Sequence, residues 1–184
     1  MNQNDQTLTR AVLEVVAIAD EFCKYLEDAG SQSSDQLIKA LRGFVPLLYL
    51  RGSLLKATEP EYPEANERYI TEEQWENMFN NLRNLFGESD EFWYIDYMEA
   101  NHHDPIKASM AECLADVYQD LNDFVMLFKQ NSLAARENAI FSCHMLFHER
   151  WGQRLALLLP VLHALQSERG NQTYDNLEDN LPFI

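Results

Sequence analysis

The sequence predicts an all-α protein, a bundle of five or six helices around a central long antiparallel pair, residues 104–130 and 132–168. Two observations favour this class. Helix-forming residues dominate, and the 184 residues include only six glycines and six prolines. Apolar residues also recur at intervals of three and four along most of the chain, which is the period of an amphipathic helix.

The first helix is predicted over residues 5–29, where an apolar stripe ends at Gly30, the expected stop. The second begins near Ser33, because Ser33 and Gln36 have the spacing of a capping box.

The second predicted helix contains a proline and a run of apolar residues. Pro46 lies within the pattern and predicts either a kink or two shorter helices, because proline lacks a backbone donor. The almost wholly apolar run 47–50 predicts a segment that is buried on several sides.

The next stretch is acidic and aromatic. Residues 59–91 contain ten Asp or Glu against two Arg. A loop is predicted over residues 59–68, and a third helix begins at the capping box of Thr71 and ends at Gly87. Residues 88–101 are rich in aromatics and fit either a short helix or an extended segment packed on the bundle.

The central pair follows. Asp104 and Pro105 predict a helix start, with a capping residue followed by proline at the first helical position. Ser132 caps the second long helix, and Pro160 should bend it. We therefore expect one domain over residues 5–168, followed by an acidic C-terminal tail, residues 169–184.

The composition excludes several functions. A formal net charge of -16 without a basic patch argues against nucleic-acid binding. The apolar runs are too short for a membrane span, and the N-terminus does not resemble a signal peptide. Three cysteines without a CxxC motif indicate reduced packing thiols. Together these features predict a cytoplasmic protein.

The main candidate site spans the central pair and comprises Asp116, Asp120, His144, His148 and Arg154. If the helices are antiparallel about their short connection, Asp120 lies near His144, and Asp116 lies near His148. Such a group fits a divalent-metal half-site or an acid–base pair. It also fits a buried polar layer in which each Asp is satisfied by a His or by Arg154. The structural layer is favoured, because paired groups in cores are the commoner use.

A second candidate, a metal-ligating loop at 101–104, competes with the simpler interpretation of a polar loop. A third pairs Glu73 and Glu76 with Glu112 and Asp116. This pattern is similar to the acidic motifs of all-α nucleotide pyrophosphohydrolases, which bind magnesium. Cys113 stands where that family has a carboxylate, so the second motif is incomplete.

Further motifs carry a broader resemblance, over roughly residues 8–165. They are Leu114-Ala115-Asp116-Val117-Tyr118-Gln119-Asp120-Leu121, Phe147 with Trp151-Gly152-Gln153-Arg154, Phe22-Cys23 with Tyr25-Leu26-Glu27, Leu47-Leu48-Tyr49-Leu50 and Tyr69-Ile70-Thr71-Glu72-Glu73. They resemble a bacterial family of uncharacterised helical proteins, a domain of unknown function. The resemblance implies an all-α fold and a bacterial cytoplasmic protein, and it implies no activity.

The function predicted from the sequence is a non-enzymatic module for protein–protein interaction or self-association. Residues 59–98 are the expected contact surface, because aromatic residues are enriched at interfaces. The partner is another protein or a second copy of the chain, and no cofactor is expected. The alternative is a metal-dependent hydrolase, with a divalent metal held by the carboxylates and histidines of the central pair.

Overall fold

The computed structural model describes residues 5–96 and 104–178, with side chains up to residue 165. Within these residues it contains six α-helices and one two-stranded antiparallel sheet, which confirms the all-α class. The helices are α1 (Arg10–Glu27), α2 (Ser34–Leu54), α3 (Glu72–Phe86), α4 (Met110–Phe128), α5 (Leu133–Leu146) and α6 (Gly152–Glu178), and the strands are β1 (Glu91–Tyr94) and β2 (Ile106–Ser109).

Helix α4 is the centre of the bundle. It packs against α1, α3, α5 and α6. Fourteen of its nineteen residues are buried, whereas an amphipathic surface helix buries only one face. The core is therefore built around α4, and α2 completes the bundle by packing on α1 and α6.

The N-terminal caps explain where the early helices begin. Ser33 and Thr71 form the two predicted capping boxes, with Gln36 and Gln74. The first α-helix begins at Arg10 and not near residue 5, because a short 3-10 turn precedes it and the Thr9 hydroxyl accepts a hydrogen bond from a backbone amide of the first turn.

The predicted helix start at Asp104 and Pro105 is wrong, because the chain there leads into a strand. Strand β2 pairs with β1, and α4 begins only at Met110. Asp90 explains this position. Its backbone carbonyl accepts from the Met110 amide at 2.8 Å, and its carboxylate accepts from the Ala111 amide at 2.7 Å. Residues 91–94 are thus extended, and 97–103 lie outside the described residues.

The second long helix is not continuous. A single π-helical turn, Phe147–Trp151, separates α5 from α6, and the Gly152 amide donates to the Phe147 carbonyl five residues earlier. The wider turn contains more residues than an α-helical turn, so it changes which side chains face α4. Pro160 lies inside α6, which continues to Glu178. Residues 179–184 of the expected tail are outside the described residues.

The prediction that residues 47–50 are buried on several sides is wrong. Helix α2 runs unbroken through Pro46 and packs on α1 and α6 with one face only. Leu48 is on that face and is buried, while Leu47 and Leu50 are on the opposite face and are exposed. An apolar run predicts burial, but one face of this helix has no covering element within the described residues.

None of the helices in the described part of the chain has the length and apolar character needed to cross a membrane.

Candidate functional site

Two arginine–aspartate pairs join α4 to the π turn and to the start of α6. The Asp120 carboxylate accepts hydrogen bonds from Nε of Arg150 at 2.7 Å and from Nη2 of the same guanidinium. One turn away, Nη2 of Arg154 lies 2.9 Å from Asp116. The Trp75 indole of α3 also donates to Asp116, at 3.1 Å. These side chains form a polar layer between three helices of an otherwise apolar core.

The π turn positions this layer. Trp151 is fully buried, and its indole N–H donates to the Cys143 carbonyl at 3.0 Å. Phe147 and Trp151 pack ring against ring, with centroids 4.7 Å apart. Gly52 of α2 makes room for both rings, since a Cβ there would lie 2.6 Å from a Phe147 ring carbon. The tightly packed aromatic pair fixes the start of α6 and with it both arginines.

The predicted pairing of Asp120 with His144 and of Asp116 with His148 is wrong, because both carboxylates bind arginines instead. The two imidazoles pack against each other, with ring centroids 4.9 Å apart. The predicted pairing requires one straight helix from residue 132, whereas the π turn interrupts that helix and directs Arg150 toward α4. The pairing of Asp116 with Arg154 agrees with the structural polar layer.

The electrostatics of the layer are those of an ion pair in a core. Burial raises the pKa of Asp120, while the Arg150 guanidinium acts in the opposite direction. Each carboxylate already accepts hydrogen bonds from a cation, which leaves few lone pairs for another ligand. The described residues contain no group of three or more His, Cys, Asp or Glu arranged to hold a metal ion.

The other predicted candidates are not brought together. Glu73 and Glu76 are exposed on α3, and the residue that links this helix to Asp116 is Trp75. Cys113 is buried, and burial raises the pKa of its thiol to about 11. A neutral thiol therefore occupies the position where the similar magnesium enzymes have a carboxylate. His102 and His103 lie outside the described residues.

A cavity of about 380 Å³ lies beside Asp120, between the loop 59–68, α4 and α5. Its wall includes two buried polar residues that the sequence analysis missed, Asp123 and Asn138. Asp123 accepts hydrogen bonds from the backbone amides of Tyr69 and Ile70 and so fixes the end of the loop. The available signal was a polar residue inside an apolar helical stretch, such as Asp123 between Leu121 and Phe124.

Helix α2 carries a continuous exposed apolar surface that we call the α2 outer face, formed by Gly43, Leu47, Leu50 and Leu54. The three leucines are 39%, 52% and 58% exposed, respectively. Their spacing of three and four residues places them on one side of α2, away from the core. A shallow groove lined by Lys39 and Gly43 continues this surface toward the start of the helix.

The expected contact segment, residues 59–98, presents a different surface. Trp93 of β1 is 66% exposed, and it borders a groove whose far wall is α6. Glu91 beside it pairs with Lys107 of β2 at 2.6 Å. Most other aromatics of the segment are partly buried against the core, including the stacked rings of Trp75 and Phe79.

Comparisons with known proteins agree with the fold. The family model described as "Domain of unknown function (DUF5063)" matches residues 6–168. The crystal structure of protein BF1032 from Bacteroides fragilis is similar, with 32% sequence identity and a TM-score of 0.77. The match covers 87% of this chain and 95% of that one. No curated protein matches the sequence.

Proposed function

We propose that this chain, which belongs to the DUF5063 family of unknown function, is a non-enzymatic interaction module. In this proposal the α2 outer face binds an acidic amphipathic helix of a partner protein. The observation that carries the proposal is the exposure of Leu47, Leu50 and Leu54 along one side of α2.

The spacing of these leucines fits a helical partner. Positions 47, 50 and 54 follow the three–four alternation by which one helix packs along another. Peptide-binding proteins use the same anchors when an amphipathic helix lies in an apolar groove. Burial of the exposed parts of three leucines contributes about 3 kcal/mol. This contribution alone gives weak binding, so a partner needs further complementarity.

Charge supplies that complementarity. Helix α2 carries Lys39, Arg42 and Arg51 against one acid, Asp35, although the whole chain has a net charge of -16. Arg51 already pairs with Glu14 of α1 at 2.7 Å, so the complementarity rests on Lys39 and Arg42. Lys39, one turn before Gly43, and Arg42 thus make the first half of α2 a basic stretch in an otherwise acidic protein. A second copy of α2 would bring like charges together, whereas an acidic helix would meet opposite ones.

Synthetic peptides test the proposal directly. The probe is a 21-residue peptide of three heptads with Leu at positions a and d and Glu at e and g, and its matched control has Lys at e and g. Fluorescence anisotropy should show that the Glu peptide binds and that the Lys peptide binds at least tenfold more weakly. Leu50→Ser should reduce binding of the Glu peptide, while Leu133→Ser, at an exposed leucine of α5, should not.

Several results would overturn the proposal. Equal affinity for both peptides would remove the electrostatic argument, and unchanged binding by Leu50→Ser would place the site elsewhere. Sedimentation velocity adds an independent outcome. A dimer of the unliganded protein that Leu50→Ser dissociates would identify the occupant as a second copy and refute an acidic partner.

A further inference from the structure

The cavity beside Asp120 has the size and wall of a small-molecule site. Its volume of about 380 Å³ falls within the range of ligand pockets. Apolar side chains from α4, α5 and the loop 59–68 form much of the wall, among them Phe124, Leu127, Phe141 and Leu146. The cavity therefore offers a compact apolar body a partly enclosed place against apolar side chains.

Two buried polar side chains in the wall have unused acceptors. Asp123 is 8% exposed, and only its Oδ1 accepts hydrogen bonds from described residues, the backbone amides of Tyr69 and Ile70. Asn138 is 2% exposed, and its Nδ2 donates to two backbone carbonyls. Its Oδ1 accepts no hydrogen bond from the described part of the chain. Neither oxygen is a fully buried unpaired atom, so both remain accessible in the cavity wall and can accept a hydrogen bond from a ligand bound there.

The charge of the wall specifies that donor. Four carboxylates line the cavity against one guanidinium, and these residues are Glu59, Glu67, Asp120, Asp123 and Arg68. Asp120 is already neutralised by Arg150. The remaining potential is negative, and the unused groups are acceptors. A cation that donates several hydrogen bonds matches both properties.

We propose that this cavity binds a small organic ammonium ion with an apolar body, whose N–H groups donate to Asp123 and Asn138. The aromatic and aliphatic side chains of the wall hold the body of the ligand. This site lies between α4 and α5 and is separate from the α2 outer face, so it does not depend on the proposed partner.

A matched series of compounds provides the test. The probes are 2-phenylethylamine, its neutral analogue 2-phenylethanol and the anion 3-phenylpropionate, each titrated into the full chain by NMR or calorimetry. The ammonium ion should bind at least tenfold more tightly than either analogue, because only it carries a positive charge opposite the Asp123 carboxylate and has several N–H donors. Equal binding of the three, or no binding of the amine, would overturn the proposal.

Variants locate the site. Asp123→Asn keeps an oxygen for the two backbone amides and should raise the dissociation constant of the amine at least tenfold, and that of the alcohol much less. Asp116→Asn, outside the cavity, is the matched control. Ser142→Phe fills the cavity from α5 and should abolish amine binding even if Asp123→Asn folds poorly. Retained preference for the amine in either cavity variant would contradict the assignment.

Discussion

Removal of Arg150 should destabilise the protein far more than a typical surface substitution. In Arg150→Met the Asp120 carboxylate, 2% exposed, would lose the partner of both its oxygens. An unpaired buried charge costs about 3–5 kcal/mol. Arg150 itself is about one-third exposed, so water reaches the pair and the lower end applies, about 3 kcal/mol. This is a large part of the 5–15 kcal/mol that is typical of whole domains.

The stability of the protein should also depend on pH through Asp120. Burial holds the pKa of Asp120 above its ordinary value, so the folded state binds its proton more tightly than the unfolded state. The contribution of Asp120 to stability is therefore greatest below its pKa in the unfolded state, and it is lost as the pH rises through its pKa in the folded state. Without Arg150 the pKa should rise further, so Arg150→Met should lose more stability than the wild type between pH 4 and pH 7.

Urea denaturation followed by circular dichroism measures both effects. The double variant Asp120→Asn with Arg150→Met removes both charges and should lie within about 1 kcal/mol of the wild type. A single Arg150→Met variant that is as stable as the wild type, or a double variant that is less stable than either single one, would refute the ion-pair reasoning.

Three further predictions concern packing, capping and metal. Gly52→Ala should reduce the free energy of unfolding from thermal melts by about 1–3 kcal/mol, because the new Cβ would overlap the Phe147 and Trp151 rings. Gly43→Ala in the same helix has open space around it and should increase stability by about 0.5–1 kcal/mol. Equal effects of the two substitutions would contradict the close approach at Gly52. Asp90→Ala should cost about 1–2 kcal/mol of unfolding free energy by urea titration, because the α4 start loses a buried cap, and no loss would contradict that role. Calorimetry with Zn²⁺, Mn²⁺ and Fe²⁺ should give no heat that Asp116→Ala removes, and such a heat would restore the hydrolase hypothesis.

The sequence predicted the helices better than the contacts between them. The capping boxes at Ser33 and Thr71 involve residues only three positions apart, so the sequence alone predicts them correctly. The start of α4 depends on Asp90, nineteen residues before Ser109, and on a strand pair that no local pattern required. A helix-start signal at Asp104 was therefore overridden by tertiary structure.

The polar layer illustrates the same limit. Asp116 and Asp120 were identified from their spacing, but their partners depend on the π turn. One wide turn changes the register of every later side chain, and nothing in the pattern of apolar residues marks it. Asp123 and Asn138 could not be identified from the sequence, because they line a cavity between the loop 59–68, α4 and α5 that exists only in the folded chain.

The most direct test of the proposed function is to map where an acidic amphipathic helix binds. Addition of the Leu/Glu heptad peptide to isotope-labelled protein should shift the amide signals of Gly43, Leu47, Leu50 and Leu54, and these shifts should weaken with added salt. Shifts centred on Trp93 instead, or no shifts at saturating peptide, would contradict the assignment of the α2 outer face as the binding surface.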